Sequence, residues 1–475
     1  MNEIAYWSAK QLAEAICTKE LSSLEVVEAH LRCIQEVNPK LNAIVQLTAE
    51  TARTQARQAD ADLARGEVKG PLHGVPMTVK DSLATAGVIT TAGTPGLAHF
   101  VPAQDAPAVA RMHAAGAILL GKTNCTELCG SGETDNQVYG RTSNPYDLTR
   151  SPGGSSGGEV AIIAAGGSPL GLGSDFGGSI RGPSHFCGIV GLNPTMGRVP
   201  RTGHIPPYGG AFDTARIGPM ARFVEDLILT LPIIAGVDWL DPTVVPMPLG
   251  NPSAVDLKTL RVAFYTDSGI LSPTPETVGV VKNVAQVLSE AGIAVMEDRP
   301  DGLKELMEIA ARLQDANKSI DQREIFSRFT EPTETHPEAL DQYTGRWLQR
   351  SQGLQSESTM SAAELLAWTM RWDACRGVML SFLERYDVIL CPVDPYPAMP
   401  HGFTRQANFD PLGLTSYTKP YSMTGWPSVA VRGGTSPEGL PIGVQVVAHP
   451  WREDVALAVA QHIEMALGGW QRPPL

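Results

Sequence analysis

The sequence predicts an α/β protein built as one large domain. Two observations carry this. Short apolar runs of strand length alternate with amphipathic stretches of helical period from residue 70 onward, the pattern of an α/β protein. No internal repeat, low-complexity tract or clear linker divides the 475 residues, of which 43% are hydrophobic, enough for a large core.

In chain order, residues 8 to 66 read as helices. Ser8 and Ser22 stand as N-caps, with Gln11 and Glu25 three residues on in the capping-box pattern. Leu24, Val27, Leu31 and Ile34 recur at helical spacing, and a second helix covers 49–64. Val75–Val79 reads as a strand that delivers Lys80 and Asp81 at its C-terminal end. A helix over 107–115 follows, with Pro107 in the first turn where its missing N–H costs nothing, and then a strand over 117–120. Residues 198–218 read as a Gly/Pro-rich loop and 222–235 as a buried helix. Strands at 260–265 and 293–297 flank a helix at 277–291. Residues 303–385 are mainly helical and carry Trp347, Trp368 and Trp372, each either core or pocket wall. Strands at 388–391, 428–432 and 442–447 and a helix at 453–467 complete the chain.

Composition narrows the function. A net charge of −13 argues against direct binding of nucleic acid or an anionic membrane. No apolar run reaches the roughly 18 residues of a membrane span. The N-terminus lacks a basic segment and a signal core. The seven cysteines form no CxxC pair, so reduced thiols in a cytoplasmic protein are expected.

Two motif matches do not survive their physical requirements. Gly116–Thr123 fits GxxxxGK[ST], but its would-be loop is the apolar run AILL and a helix, not a strand, precedes it. Gly153–Gly157 fits GxSxG, but a nucleophile elbow needs an apolar strand running into the turn, and NPYDLTRSP is polar.

The stretch with most chemistry is SPGGSSGGEVAIIAAGGSPLGLGSDFGGSIRGPSHFCGIVGLNP, residues 151–194, in which 13 of the first 42 residues are Gly. Ser155 and Ser179 sit in glycine-rich turns. A serine hydroxyl needs a base to become a nucleophile. Histidine is the common one, but no His–Asp pairing can be read from spacing. A lysine serves if burial favours its neutral form, and Lys80 follows the apolar run VPMTV; the alternative is a surface lysine beside Asp81. Gly177 and Gly178 precede Ser179 where a short helix can begin, a setting in which backbone N–H groups hold an anion.

The segment GGSSGGEVAIIAAGGSPLGLGSDFGGSIRGPS resembles the defining motif of the amidase signature family, in the form seen in fatty acid amide hydrolases and soluble bacterial amidases. GVPMTVKD resembles that family's lysine segment, and GWPSVAV with LPIGVQVV its C-terminal strands. The resemblance implies one domain over 1–475 with a mixed central sheet covered by helices on both sides. It implies a catalytic core segment at 72–195 and a variable, mostly helical pocket region at 240–400.

Carried over by motif position, the resemblance implies Ser179 as nucleophile, Ser155 as bridging serine after a cis peptide from Gly154, and Lys80 as base. Backbone N–H groups of Phe176, Gly177, Gly178 and Ser179 would form the oxyanion hole. Asp175 and Arg181 would brace the loop, Ser131 would hydrogen-bond to the triad, and Cys129, Gly130 and Ser156 would line the pocket. No metal, nucleotide or other cofactor is implied. A lysine base must be neutral, so activity is expected to rise towards alkaline pH.

Two departures qualify the match. Phe176 replaces a smaller residue. Thr415 falls near the position where the family's glutamine-using amidotransferase member has Asp, which argues against free glutamine. The expectation is a stand-alone hydrolase of a small-molecule amide, ester or aryl carbamate (a urethane), acting without nucleic acid or membrane, with a homodimer allowed. The alternative is a glutamine-dependent amidotransferase A-type subunit that supplies ammonia to a partner acting on tRNA.

Overall fold

The computed structural model describes residues 3–207, 214–318 and 360–475. Its strands are β1 (Ile44–Leu47), β2 (Pro76–Lys80), β3 (Ile118–Thr123), β4 (Asp135–Asn136), β5 (Gly140–Arg141), β6 (Leu170–Asp175) and β7 (Val190–Asn193). They continue with β8 (Arg216–Ala221), β9 (Arg261–Phe264), β10 (Ala294–Glu297), β11 (Val388–Pro392), β12 (Ser428–Thr435) and β13 (Pro441–Ala448). Eleven strands form one sheet in the order β1-β3-β2-β6-β8-β7-β12-β13-β11-β9-β10, with β4 and β5 as a separate hairpin. The sheet is mixed: β3, β2 and β6 run parallel, β6 to β11 alternate through antiparallel neighbours, and β11, β9 and β10 are parallel again.

Helices cover both faces. Ala9–Cys17, Pro107–Ala114, Val224–Ile234, Pro275–Glu290 and Glu453–Leu467 pack on the face bearing Met77, Val79, Leu170 and Leu172. The other face carries Ser23–Leu41 and Gly157–Ala164 over Ile118 and Leu120, and Leu303–Lys318 with Ala362–Phe382 over Ile389 and Cys391. Both predicted capping boxes are present, at Ser8 and Ser22. Among the described residues no helix is long and apolar enough to cross a membrane.

Several sequence expectations need correction. Ile44–Leu47, inside the stretch read as helical, is an edge strand antiparallel to β3. Leu170–Asp175 was not anticipated as a strand, because its alternate glycines hide its β-propensity. Residues 198–218 are not loop throughout, since β8 begins at Arg216. Pro219 in β8 is paired opposite Leu172 of β6, in a central strand where proline is uncommon. Trp372 is buried core and donates to the Met423 carbonyl. Trp368 packs half-buried under Arg371. Trp347 lies outside the described residues.

Candidate active site

Period-two alternation along β2 fixes the first component. Met77 and Val79 enter the apolar core of one face, so Thr78 and Lys80 point to the other, beneath the helix Gly157–Ala164. Lys80 is completely buried at the strand's C-terminal end. Its Nζ lies 2.6 Å from Ser155 Oγ, 2.9 Å from Ser174 Oγ and 3.5 Å from the Ser174 carbonyl.

The glycine-rich loop explains how Ser155 reaches this lysine. The Gly154–Ser155 peptide is cis, as the resemblance implied. The following helix presses so closely on the end of β3 that a Cβ at Gly158 would overlap the Asn124 backbone and lie 2.7 Å from the Ala43 carbonyl. Glu159, buried in the same first turn, accepts hydrogen bonds from Thr78 and Thr123, stapling the helix to β2 and β3. Burial pushes its carboxyl up to about 7. Ser155 and Ser156 are buried, whereas Phe176 to Ser179 are half-exposed, so Ser179 is the serine a substrate can reach. The Ser156 N–H donates to the Ser179 carbonyl at 3.3 Å and joins the two serine turns. Ser179's hydroxyl makes no hydrogen bond among the described residues.

Asp175 and Arg181 form the brace. The Asp175 carboxylate accepts from Gly178 N–H (2.7 Å), Ile180 N–H (3.0 Å) and Arg181 Nε (3.0 Å). Burial raises its carboxyl, but the Arg181 charge and these donors outweigh burial and hold it down at about 2. Arg181 also donates to Gln445 (2.6 Å), Ser422 (2.6 Å) and the Thr418 carbonyl (2.9 Å). On the other side, Thr418 Oγ1 donates to the Gly177 carbonyl at 2.6 Å, and the Lys419 ammonium sits 3.6 Å over the Phe176 ring. Gly178 has φ +137°, and a Cβ there would lie 2.5 Å from Thr418 Oγ1.

This geometry corrects the oxyanion expectation at one position: the Gly178 N–H is committed to Asp175, because the carboxylate closes the same turn. The N–H groups of Gly177 and Ser179 have no hydrogen-bond partner among the described residues. Ser131 also departs from expectation. Its hydroxyl accepts from the Glu133 N–H at 3.3 Å rather than bonding to Lys80 or either serine, although its carbonyl lies against Gly154. Ser156 Oγ donates to the Ser174 carbonyl at 3.3 Å, a structural role. Cys129 (φ 59°) and Gly130 lie on the turn before Ser131, with Cys129 Sγ 3.9 Å from the Ile205 carbonyl.

The residues that sequence reasoning missed are Ser174 and His204, which extend the hydrogen-bond chain from Lys80. Ser174 lies inside the glycine-rich motif, so its place was visible and its role was not. A cavity of about 670 Å³ lies elsewhere, between the helix Ala49–Ala64 and residues 85–89, and is lined by Gln46, His73, Asp105 and His113 but by neither Lys80 nor the two serines.

Residues 25–457 match the family model named Amidase. The chain belongs to the amidase family. It is an enzyme of that family, whose activity is cleavage of amide bonds. The chain is 34% identical over 488 residues to the A-type subunit of glutamyl-tRNA(Gln) amidotransferase from Cyanothece sp., covering 98% of this chain and 99% of that protein. It is similar in structure to 6-aminohexanoate cyclic dimer hydrolase complexed with substrate, with TM-score 0.84, 28% identity, and 99% of each chain covered. A bacterial aryl acylamidase of the amidase signature enzymes superposes with TM-score 0.86 at 26% identity, over 98% of this amidase and 97% of that chain.

The tRNA amidotransferase relatives overturn the partner expectation, that of a small-molecule substrate with no nucleic acid involved, and leave amide-bond cleavage itself standing. The inference from charge fails for a physical reason. Net charge describes the surface of one chain, and one component of an RNA-directed assembly need not itself carry the basic surface.

Proposed function

We propose that this amidase hydrolyses carboxylic amide C–N bonds through an acyl-enzyme on Ser179, with Ser155 as proton bridge and Lys80 as base. The observation that supports this most is the completely buried Lys80 amine, 2.6 Å from Ser155, whose hydrogen-bond partners are hydroxyls and a carbonyl. Such partners suit an amine that exchanges protons with serine.

Neutral Lys80 takes the Ser155 proton as Ser155 takes that of Ser179. Ser179 Oγ bonds to the substrate carbonyl carbon, and the oxyanion accepts from the N–H groups of Gly177 and Ser179. One such donor is worth about 3–4 kcal/mol of barrier. The proton returns through Ser155 to the amide nitrogen, the C–N bond breaks, and water hydrolyses the acyl-enzyme to a carboxylic acid.

The proposal extends to acyl anilides and aryl carbamates. Leu414 and Phe403 lie 3.7 and 3.9 Å from a Cβ built at Gly132, beside the Ser131 turn that packs on Gly154. The likeness to the aryl acylamidase points the same way. Thr415 turns its hydroxyl to the Pro411 carbonyl at 3.0 Å and offers no carboxylate, which supports a substrate other than glutamine.

The test is amine release by the purified chain from acyl anilides, primary amides including glutamine, and aryl carbamates. Turnover is expected, with Ser179→Ala lowering kcat by about 10³-fold or more. Turnover surviving in Ser179→Ala contradicts the assignment. The second reading, a component of an amidotransferase, is favoured by the curated relatives. It gains if the chain alone turns over no amide.

A further inference from the structure

We propose that His204 is a positioning residue for Lys80, acting through the hydroxyl of Ser174. This rests on the reading of Lys80 as base and adds what keeps its lone pair directed at Ser155.

His204 is held on the same frame as the lysine. The Ile205 N–H donates to the Ser82 carbonyl at 2.7 Å, the Ala84 N–H donates to the Gly203 carbonyl at 2.8 Å, and Leu83 and His204 form a β-bridge. The turn bearing His204 is thereby zipped to the residues immediately after Lys80 and Asp81. The imidazole is buried.

Its partners fix its hydrogen. Nδ1 lies 2.9 Å from the Pro206 carbonyl, which can only accept, so Nδ1 carries the hydrogen. In the neutral ring Nε2 is then an acceptor. It lies 2.8 Å from Ser174 Oγ and 3.4 Å from Ser82 Oγ, and the Cys129 side chain also hydrogen-bonds to the imidazole. The shorter contact takes the single hydrogen of the Ser174 hydroxyl. Ser174 Oγ is left with lone pairs alone towards Lys80 Nζ at 2.9 Å.

The consequence falls on the amine. A neutral amine has two hydrogens and one lone pair. Ser174 offers acceptors for both hydrogens, its Oγ at 2.9 Å and its carbonyl at 3.5 Å. The lone pair is left for the Ser155 hydroxyl at 2.6 Å. Without an acceptor at His204, the Ser174 hydrogen is free to turn onto the Lys80 lone pair. Ser174 then competes with Ser155 for the base. No bond is made or broken by His204; it sets which hydroxyl donates.

The test is steady-state kinetics on an acyl anilide that the wild-type protein turns over, with His204→Leu, His204→Gln, Ser174→Ala, the double variant His204→Leu/Ser174→Ala, and Lys80→Met. His204→Leu is expected to lower kcat about tenfold with KM unchanged, the scale of a misdirected proton transfer. His204→Gln, which retains an acceptor near Nε2, recovers most of that loss. In the Ser174→Ala background, with no hydroxyl left to misdirect, His204→Leu costs nothing further. An equal loss in both backgrounds, or kcat within twofold of wild type in His204→Leu, overturns the proposal while Lys80→Met remains inactive. Turnover surviving in Lys80→Met overturns the base assignment instead, and this proposal with it. If His204→Leu does not fold, the comparison of His204→Gln with and without Ser174→Ala decides: a kcat loss that persists without the Ser174 hydroxyl contradicts the relay.

Discussion

Arg181 shows how one residue holds the nucleophile turn. Its guanidinium is completely buried and reaches Asp175, Gln445, Ser422 and the Thr418 carbonyl, bonding the end of β6 to the last third of the chain. Removing one member of a buried ion pair leaves the other charge uncompensated, at a cost of about 3–5 kcal/mol. Arg181→Met is therefore expected to lower unfolding free energy by about that amount, read as a fall in the urea midpoint, because Asp175 is stranded. An unchanged midpoint would show that the brace is dispensable. At this scale the motif made Lys80, Ser155, Ser179, Asp175 and Arg181 legible in the sequence. His204 was not legible: no spacing rule relates residues 80, 174 and 204, and only the fold brings them into one chain of hydrogen bonds.

At the scale of elements, the helix Gly157–Ala164 positions the site by docking on β2 and β3, and Glu159 is its buried polar anchor. Burial raises Glu159 from its ordinary 4.5 to about 7. The native state thus holds a proton that the unfolded chain releases at lower pH. The sign follows from linkage: the protonated carboxyl's contribution is fully present below about 4.5 and is lost as pH rises through about 7. Glu159→Gln, which stays neutral, is expected to raise Tm relative to wild type at pH 8 and to leave it near wild type at pH 4.5, as differential scanning calorimetry would report. A Tm difference independent of pH would contradict the burial of a titrating carboxyl. The long amphipathic helices and apolar strands were readable from periodicity. The short edge strand Ile44–Leu47 and the glycine-bearing Leu170–Asp175 were not, because sheet pairing rather than intrinsic preference decides both.

Over the whole molecule, the site draws on segments far apart in the chain. Lys80 bonds to Ser155 and Ser174 across 75 and 94 residues, and Arg181 to Gln445 across 264. That convergence depends on one continuous sheet, in which β2 and β6 are adjacent and Gln445 of β13 donates to the Tyr417 carbonyl beside the turn at Thr418. The α/β class and single domain could be read from the alternation of elements. The eleven-strand order could not, since it is set by crossovers that leave no local signature. Net charge misled about partners because it is a property of the chain and not of an assembly. The central claim is a covalent acyl group on Ser179. Its most direct test is to quench the protein during turnover of a slowly hydrolysed aryl carbamate, measure intact mass, and map the adduct by peptide fragmentation. One added carbamoyl group is expected on Ser179, absent from Ser179→Ala. An adduct on Ser155, or sustained turnover with no adduct on any serine, would contradict it.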